Sequence, residues 1–124
     1  MLLDASALLA YLHQEQGCLR VEAVLETAFI STVNWCEVVH KLHARSIDEQ
    51  AVRENLEILG LRFVNFNLAH AETAGALGQI TKPFGLSLGD KACLATAMCE
   101  KMPVMTADKI WQAVSLPLEV VLIR

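Results

Sequence analysis

The 124-residue sequence lacks several features that would assign it to large classes of protein. Its longest apolar runs, such as residues 7–12, are far shorter than the roughly 20 residues of a membrane-spanning helix. Its four cysteines form no C-x-x-C pair, which disfavours a zinc site or a disulfide framework and favours reduced thiols in a core. The N-terminus has no basic region and carries a carboxylate at Asp4, so we expect no signal peptide and a cytoplasmic protein.

Basic residues are also scarce. Ten Lys and Arg stand against 14 Asp and Glu, which gives a net charge of −4. A protein that binds nucleic acid by bulk charge would have the opposite sign. Glycine-rich phosphate-binding loops are absent too, so we expect no dependence on a nucleotide. An acidic protein can still cleave a phosphodiester if bound cations reverse the local field, and the composition therefore leaves a metal-dependent nuclease open.

The sequence does contain short apolar runs that alternate with amphipathic helical stretches. Its length and its 54% hydrophobic content fit one compact domain over residues 1–124. The predicted strands are 1–3, 28–31, 62–65, 103–106 and 119–123, and the predicted helices are 6–13, 18–27, 34–45, 48–59, 69–80, 90–101 and 109–114. Strands that alternate with helices need crossover connections, which produce a mostly parallel sheet covered on both faces. The sequence therefore predicts a three-layer α/β/α domain.

Four carboxylates occupy similar places in this pattern. Asp4 follows the first strand and Asp108 follows the fourth, whereas Glu37 and Asp90 open predicted helices. Functional sites of open parallel sheets form beyond the carboxyl ends of the strands. All four acids could therefore converge on one edge of the sheet.

Each acid taken singly has a plain structural explanation, because acids near helix starts are common caps. Asn34-x-x-Glu37 and Ser87-x-x-Asp90 both fit a capping box. A cluster is harder to explain structurally, since two carboxylates about 4 Å apart repel by roughly 4 kcal/mol at an effective dielectric near 20. Mg²⁺ or Mn²⁺ would relieve that repulsion, and could activate a water molecule and neutralise phosphoryl oxygens.

Four segments that contain these acids resemble the motifs of the PIN-domain family, and within it the VapC-like toxin ribonucleases. The segment DASALLAYL at 4–12 looks like the first motif, and NWCEVV at 34–39 carries an acid similar to the second. LSLGDKACLATA at 86–97 looks like the third motif, and VMTADKIW at 104–111 resembles the closing Thr-x-Asp motif. The resemblance spans nearly the whole chain, with the acids in the family's order.

The resemblance implies a single PIN-like nuclease domain over residues 1–124 with a three-layer α/β/α fold. It implies a metal-dependent endoribonuclease, the toxin of a toxin–antitoxin pair, which cuts RNA with Mg²⁺ or Mn²⁺. It further implies a homodimer and a cognate antitoxin that inhibits by inserting a peptide segment. The acids Asp4, Glu37, Asp90 and Asp108 would coordinate the metal directly or through water, and the hydroxyls of Ser6 and Thr106 would support them.

Several alternatives remain open. Lys41, Lys91 and Lys109 flank acids and could hold the RNA backbone, although solvated lysines are common and Lys41 could instead pair with Glu37. A second hypothesis is a catalytically silent PIN-like module that binds RNA or protein. A third is a phosphatase of the haloacid-dehalogenase kind, which the sequence disfavours because that class has Asp-x-Asp where this chain has Ser6.

Overall fold

The computed structural model describes residues 1–124, and its strands and helices alternate as the sequence predicts. The strands are β1 Leu2–Leu3, β2 Phe29–Ser31, β3 Arg62–Val64, β4 Val104–Thr106 and β5 Val120–Leu122. The helices are α1 Ala5–Leu12, α2 Cys18–Leu25, α3 Thr32–Ala44, α4 Glu49–Ile58, α5 Leu68–Ala76, α6 Gly78–Thr81 and α7 Leu88–Glu100. Two 3₁₀ helices cover Lys82–Phe84 and Lys109–Ala113.

The five strands form one sheet in the order β3-β2-β1-β4-β5, and every pairing is parallel. The chain adds β2 and β3 on one side of β1, and then returns to add β4 and β5 on the other. The strand order therefore reverses between β1 and β4. Crevices at such a reversal, beyond the carboxyl ends of the strands, are the usual ligand sites of open α/β sheets.

A hydrophobic cluster covers each face of the sheet, which gives the three layers. Successive side chains of a strand point to opposite faces, so Leu3 joins one cluster and Leu2 the other. Helices α1 to α4 contribute to the cluster of Leu3, whereas α5 and α7 contribute to that of Leu2. Both leucines are fully buried, and burial of such a side chain contributes about 1.5–3 kcal/mol. The two-residue β1 is thus held from both sides.

Local signals set the ends of the helices near the carboxyl edge of the sheet. Ser31 caps α3 by accepting from the Val33 amide (3.2 Å), and Ser87 caps α7 in a capping box with Asp90. Gly60 follows α4 with a φ of +109°, and a Cβ there would lie 2.3 Å from the Glu26 carbonyl oxygen. Only glycine fits this close approach.

Several helix boundaries differ from the sequence-based prediction, and α7, for example, begins at Leu88 rather than at residue 90. Helix α3 begins at Thr32 rather than at residue 34, because Ser31 is its cap. The predicted helix 69–80 is split into α5 and α6. The second of these begins at Gly78, and glycine is a poor helix former. The predicted helix 109–114 is a 3₁₀ helix over Lys109–Ala113.

The cysteines only partly meet the expectation of thiols in a core. All four are free, but Cys93 alone is buried, whereas Cys36 and Cys99 are exposed. Cys36 is exposed because it lies on the same outer surface of α3 as Glu37 and His40. No helix of the chain has both the length and the apolarity needed to cross a membrane.

Candidate active site

Asp4 lies at the point where the strand order reverses, directly after the central strand β1. Its backbone amide donates to the Met105 carbonyl oxygen (2.9 Å), which fixes it beside the end of β4. Although Asp4 is the N-cap residue of α1, its side chain makes no capping hydrogen bond. Capping of α1 therefore does not explain why this side chain is a carboxylate.

The Asp4 carboxylate instead accepts two hydroxyl hydrogen bonds on one oxygen. Ser6 Oγ donates to Asp4 Oδ2 at 2.6 Å, and Thr106 Oγ1 donates to the same atom at 2.9 Å. Each hydroxyl is itself oriented by a backbone amide, since Ala107 N–H donates to Ser6 Oγ (3.0 Å) and Asp108 N–H donates to Thr106 Oγ1 (3.1 Å). This arrangement leaves Asp4 Oδ1 without a protein donor.

Burial makes the charge on Asp4 unfavourable. Asp4 is only 5% exposed, and its burial raises its pKa from 3.8 to about 6. The hydroxyls of Ser6 and Thr106 lower that pKa, whereas the charges of Asp90 and Glu37 raise it further. Three acids from distant parts of the sequence therefore act on one another. Carboxylates that concentrate negative charge around a buried position have the electrostatics of a cation site.

Glu37 reaches this place from α3, on the β2 side of Asp4. Its Oε1 accepts from the Asn34 side-chain amide at 2.7 Å, and the same amide donates to the Gly89 carbonyl oxygen at 3.1 Å. Asn34 is the third residue of α3 and is fully buried. It is not the N-cap that the sequence pattern suggested, because Ser31 fills that position.

Asp90 belongs to the first turn of α7 and is half-buried. Its Oδ2 accepts from the Ser87 amide (2.9 Å) and its own amide donates to Ser87 Oγ (3.1 Å), so the predicted capping box is present. One turn further, burial and then the charges of Asp4, Glu37 and Asp90 raise the pKa of the Cys93 thiol well above its usual value. A capping role for Asp90 and its proximity to the other acids therefore coexist.

Asp108 differs from the other three acids in its contacts. Its side chain is exposed and accepts from the Ile110 amide (3.1 Å), which caps the following 3₁₀ helix. Its charge is not among those that raise the pKa of Asp4. Its link to Asp4 runs through its backbone amide and the Thr106 hydroxyl.

The three lysines that flank these acids form no ion pair with a carboxylate. Lys41 and Lys109 are exposed, and Lys91 is half-buried. The pair between Lys41 and Glu37 that the sequence allowed is not formed. All three ammonium groups are therefore available to an external anion.

The donor set fits Mg²⁺ or Mn²⁺ in its chemistry. Carboxylate oxygens are the ligands that these ions prefer, and the buried Asp4 carboxylate has an oxygen with no protein donor. As the side chains stand, no group of three or more His, Cys, Asp and Glu could hold a metal ion. Mg²⁺ usually keeps several waters and binds one or two carboxylates directly. The residues thus fit an ion bound by one or two of these acids, with the others contacting it through water.

Sequence reasoning missed two residues at this site. The sequence pattern makes Asn34 a cap and gives no separate role to Gly89. A correct start for α3 would have revealed Asn34, because a polar residue in the third helical position, followed by a core residue at Val38, points inwards. Gly89 has no comparable signal, since its role depends on a side chain from another helix.

Comparison with known proteins gives a consistent result. The family model described as PIN domain matches residues 1–116. A search of curated proteins found no match to this sequence.

Several solved structures have similar folds. A chain of a toxin-antitoxin complex from Klebsiella pneumoniae is 26% identical, with a TM-score of 0.76 over 95% of this chain and 98% of that one. A chain of DNA-bound VapBC from Salmonella typhimurium is 14% identical, with a TM-score of 0.77 over 99% and 97%. A chain of VapBC-1 from nontypeable Haemophilus influenzae is 18% identical, with a TM-score of 0.71 over 98% and 96%.

Proposed function

The chain belongs to the PIN domain family, whose members are generally nucleases, and on that premise we propose that it is a metal-dependent endoribonuclease. One observation carries the proposal. A buried Asp4 carboxylate lies at the reversal of the strand order, with the charges of Glu37 and Asp90 acting on it. Such a concentration of negative charge is unfavourable for a purely structural site and suits a divalent cation.

Asp4, Glu37 and Asp90 would hold the ion directly or through water, and Asp108 would act through water from the far side of Thr106. When bound, Mg²⁺ or Mn²⁺ activates a water molecule and neutralises charge on the scissile phosphate. Ser6 and Thr106 hold Asp4 Oδ2 and would leave Oδ1 free to bind the ion.

The RNA backbone is expected to contact the three lysines described above. Lys41, Lys91 and Lys109 stand close to the acids in sequence and form no ion pair. Each would contribute a phosphate contact that does not depend on base sequence. Their small number agrees with an acidic protein that relies on its bound cation rather than on a basic groove.

We further propose that the protein is the toxin of a type II toxin–antitoxin pair. A groove on α1, α2 and α4 that presents apolar side chains among polar ones supports this role: Leu19 is 73% exposed and Ile58 82% exposed, and Tyr11 lines both of the adjoining concavities. Exposed apolar side chains grouped in a concave surface are typical of protein–protein contacts. Glu22 lines both concavities, so the groove fits an apolar antitoxin segment that also carries Lys or Arg.

The experiment that tests the proposal is cleavage of total RNA by purified protein free of antitoxin. Reactions contain Mg²⁺, Mn²⁺ or EDTA, and Asp90→Asn protein purified in parallel controls for contaminating nuclease. Discrete fragments that need metal and disappear with Asp90→Asn would support the endoribonuclease. Intact RNA in every reaction, from protein that is folded and binds metal, would favour the alternative of a catalytically silent RNA- or protein-binding module.

Two consequences of the proposal concern assembly. A cognate antitoxin should form a stable complex and abolish cleavage. The free toxin is expected to be a homodimer, which light scattering coupled to size-exclusion chromatography would measure. A monomeric protein that cleaves RNA would contradict the homodimer and would agree with the proposed nuclease activity.

A further inference from the structure

The carboxylate of Glu37 is held in one position although the residue as a whole is exposed. A glutamate on the outside of a helix usually samples several rotamers, because water solvates each of them equally well. Here two features of the surrounding chain restrict the carboxylate to one place. The first feature is a hydrogen-bond donor on α3 itself, and the second is a glycine on α7, which has no side chain to fill this space.

The donor is the Asn34 amide, whose two hydrogens are both used. Nδ2 donates to Glu37 Oε1 at 2.7 Å and to the Gly89 carbonyl oxygen at 3.1 Å. Turning the amide over would place Oδ1 against these two acceptors, so its orientation is fixed. In the observed orientation Oδ1 is buried with no hydrogen-bond partner. A fully buried helix position that served packing alone would favour an apolar side chain.

The absent side chain is that of Gly89, the residue before Asp90. A Cβ at Gly89 would lie 2.6 Å from Glu37 Oε1 and 2.8 Å from Oε2. The carboxylate therefore rests on the backbone of the first turn of α7. Gly89 has no positive φ, so its backbone does not require glycine. Its lack of a side chain is explained by the space that Glu37 occupies.

We propose that Asn34 and Gly89 are positioning residues for Glu37: the amide joins the carboxylate to the start of α7, and the glycine leaves room for it beside Asp90. The inference rests on the proposed function, in which Glu37 is one of the acids that bind the metal ion. The contact between α3 and α7 would then fix the separation between Glu37 and Asp90. Outer contacts of this kind typically change metal affinity about 10- to 100-fold.

The decisive experiment compares two glycine-to-alanine variants of the full chain. Gly89→Ala displaces the end of the Glu37 side chain but raises helix propensity, and because these effects oppose each other its metal-free melting temperature should stay close to that of the wild type. Its Mn²⁺ affinity by isothermal titration should fall about 10-fold or more. Gly75→Ala in α5 is the matched control, because a Cβ there meets nothing within 4 Å. It should raise the melting temperature and leave the Mn²⁺ affinity unchanged.

Wild-type Mn²⁺ affinity in Gly89→Ala would overturn the proposal. If the wild type binds Mn²⁺ but leaves RNA intact, the proposed nuclease fails, and the comparison of glycines still decides the present inference.

A metal-free measurement covers the case in which the wild type shows no heat of Mn²⁺ binding. Asn34→Asp turns both donors into acceptors and should lower the melting temperature of the wild type. In the Glu37→Gln background the same change should lower it clearly less, because one like charge is gone and a new amide can donate. Equal reductions in both backgrounds would overturn the proposal.

Discussion

Replacement of Asp4 with asparagine should make the metal-free protein more stable at neutral pH, although it removes a residue of the candidate site. Folding raises the pKa of this carboxyl from 3.8 to about 6. The folded state therefore holds the proton more tightly than the unfolded state, and the stabilising effect of protonation is lost as the pH rises through 6. Asparagine is neutral at every pH and has nearly the same shape.

The size of the effect follows from the pKa change. One pKa unit corresponds to about 1.4 kcal/mol, so the full effect is about 3 kcal/mol. About 2 kcal/mol of it falls between pH 4 and pH 7, because the unfolded carboxyl is already partly ionised at pH 4. The difference in unfolding free energy, Asp4→Asn minus wild type, should rise by that amount over this window. Other groups that titrate there largely cancel in the difference.

Urea unfolding in EDTA at several pH values measures this difference, with fluorescence of the buried Trp111 as the signal. Asp48→Asn, the same change at an exposed cap of α4, is the control for the substitution itself. Saturating Mn²⁺ should largely offset the difference at pH 7, since a ligand at 100 times its Kd stabilises the wild type by about 2.7 kcal/mol. A difference for Asp4→Asn that stays constant from pH 4 to pH 7, or is unfavourable at pH 7, would refute the reasoning.

Three further predictions address other parts of the molecule. Thr106→Val removes a bond that lowers the pKa of Asp4, so the pH midpoint of Mn²⁺ binding should move upwards; an unchanged midpoint in titrations from pH 5 to pH 8 would contradict this. Gly60→Ala should destabilise by at least about 1 kcal/mol in urea unfolding, because it combines a positive φ with a clash against the Glu26 backbone. Ile58→Asp should weaken antitoxin binding in a pull-down at least about 10-fold while the melting temperature and RNA cleavage stay as in the wild type, since this side chain is 82% exposed.

Much of the fold was predictable because it depends on patterns that the sequence displays directly. Alternating strands and helices imply crossovers and a parallel sheet, and all four strand pairs are parallel. Helix starts were less certain, because apolar periodicity locates a helix to within a few residues. Ser31 ends β2 and caps α3 at once, so the prediction placed the start of α3 two residues late and gave Asn34 the wrong task.

That Asp4, Glu37 and Asp90 act on one another was predictable from the sequence, whereas the detailed arrangement of their contacts was less so. Asp4 follows a strand, and this placement alone brings it to the reversal of the strand order. The Asp108 carboxylate caps its own 3₁₀ helix, a role that its place at a predicted helix start allowed, and its amide donates to Thr106. The contact of Glu37 with Gly89 depends on how α3 and α7 pack, and no local pattern encodes that packing.

The hydroxyl bonds of Asp4 also have a consequence for synthesis of the chain. Thr106 lies 102 residues after Asp4, and the Ala107 amide that orients Ser6 lies 101 residues after it. Contacts this distant in sequence cannot form until the residues up to Ala107 have been synthesised, which at about 5–20 residues per second means several seconds of translation. A growing chain would therefore carry Asp4 without its partners and β1 without its neighbour β4. The proposed nuclease activity would therefore begin only after the residues up to Ala107 have been made.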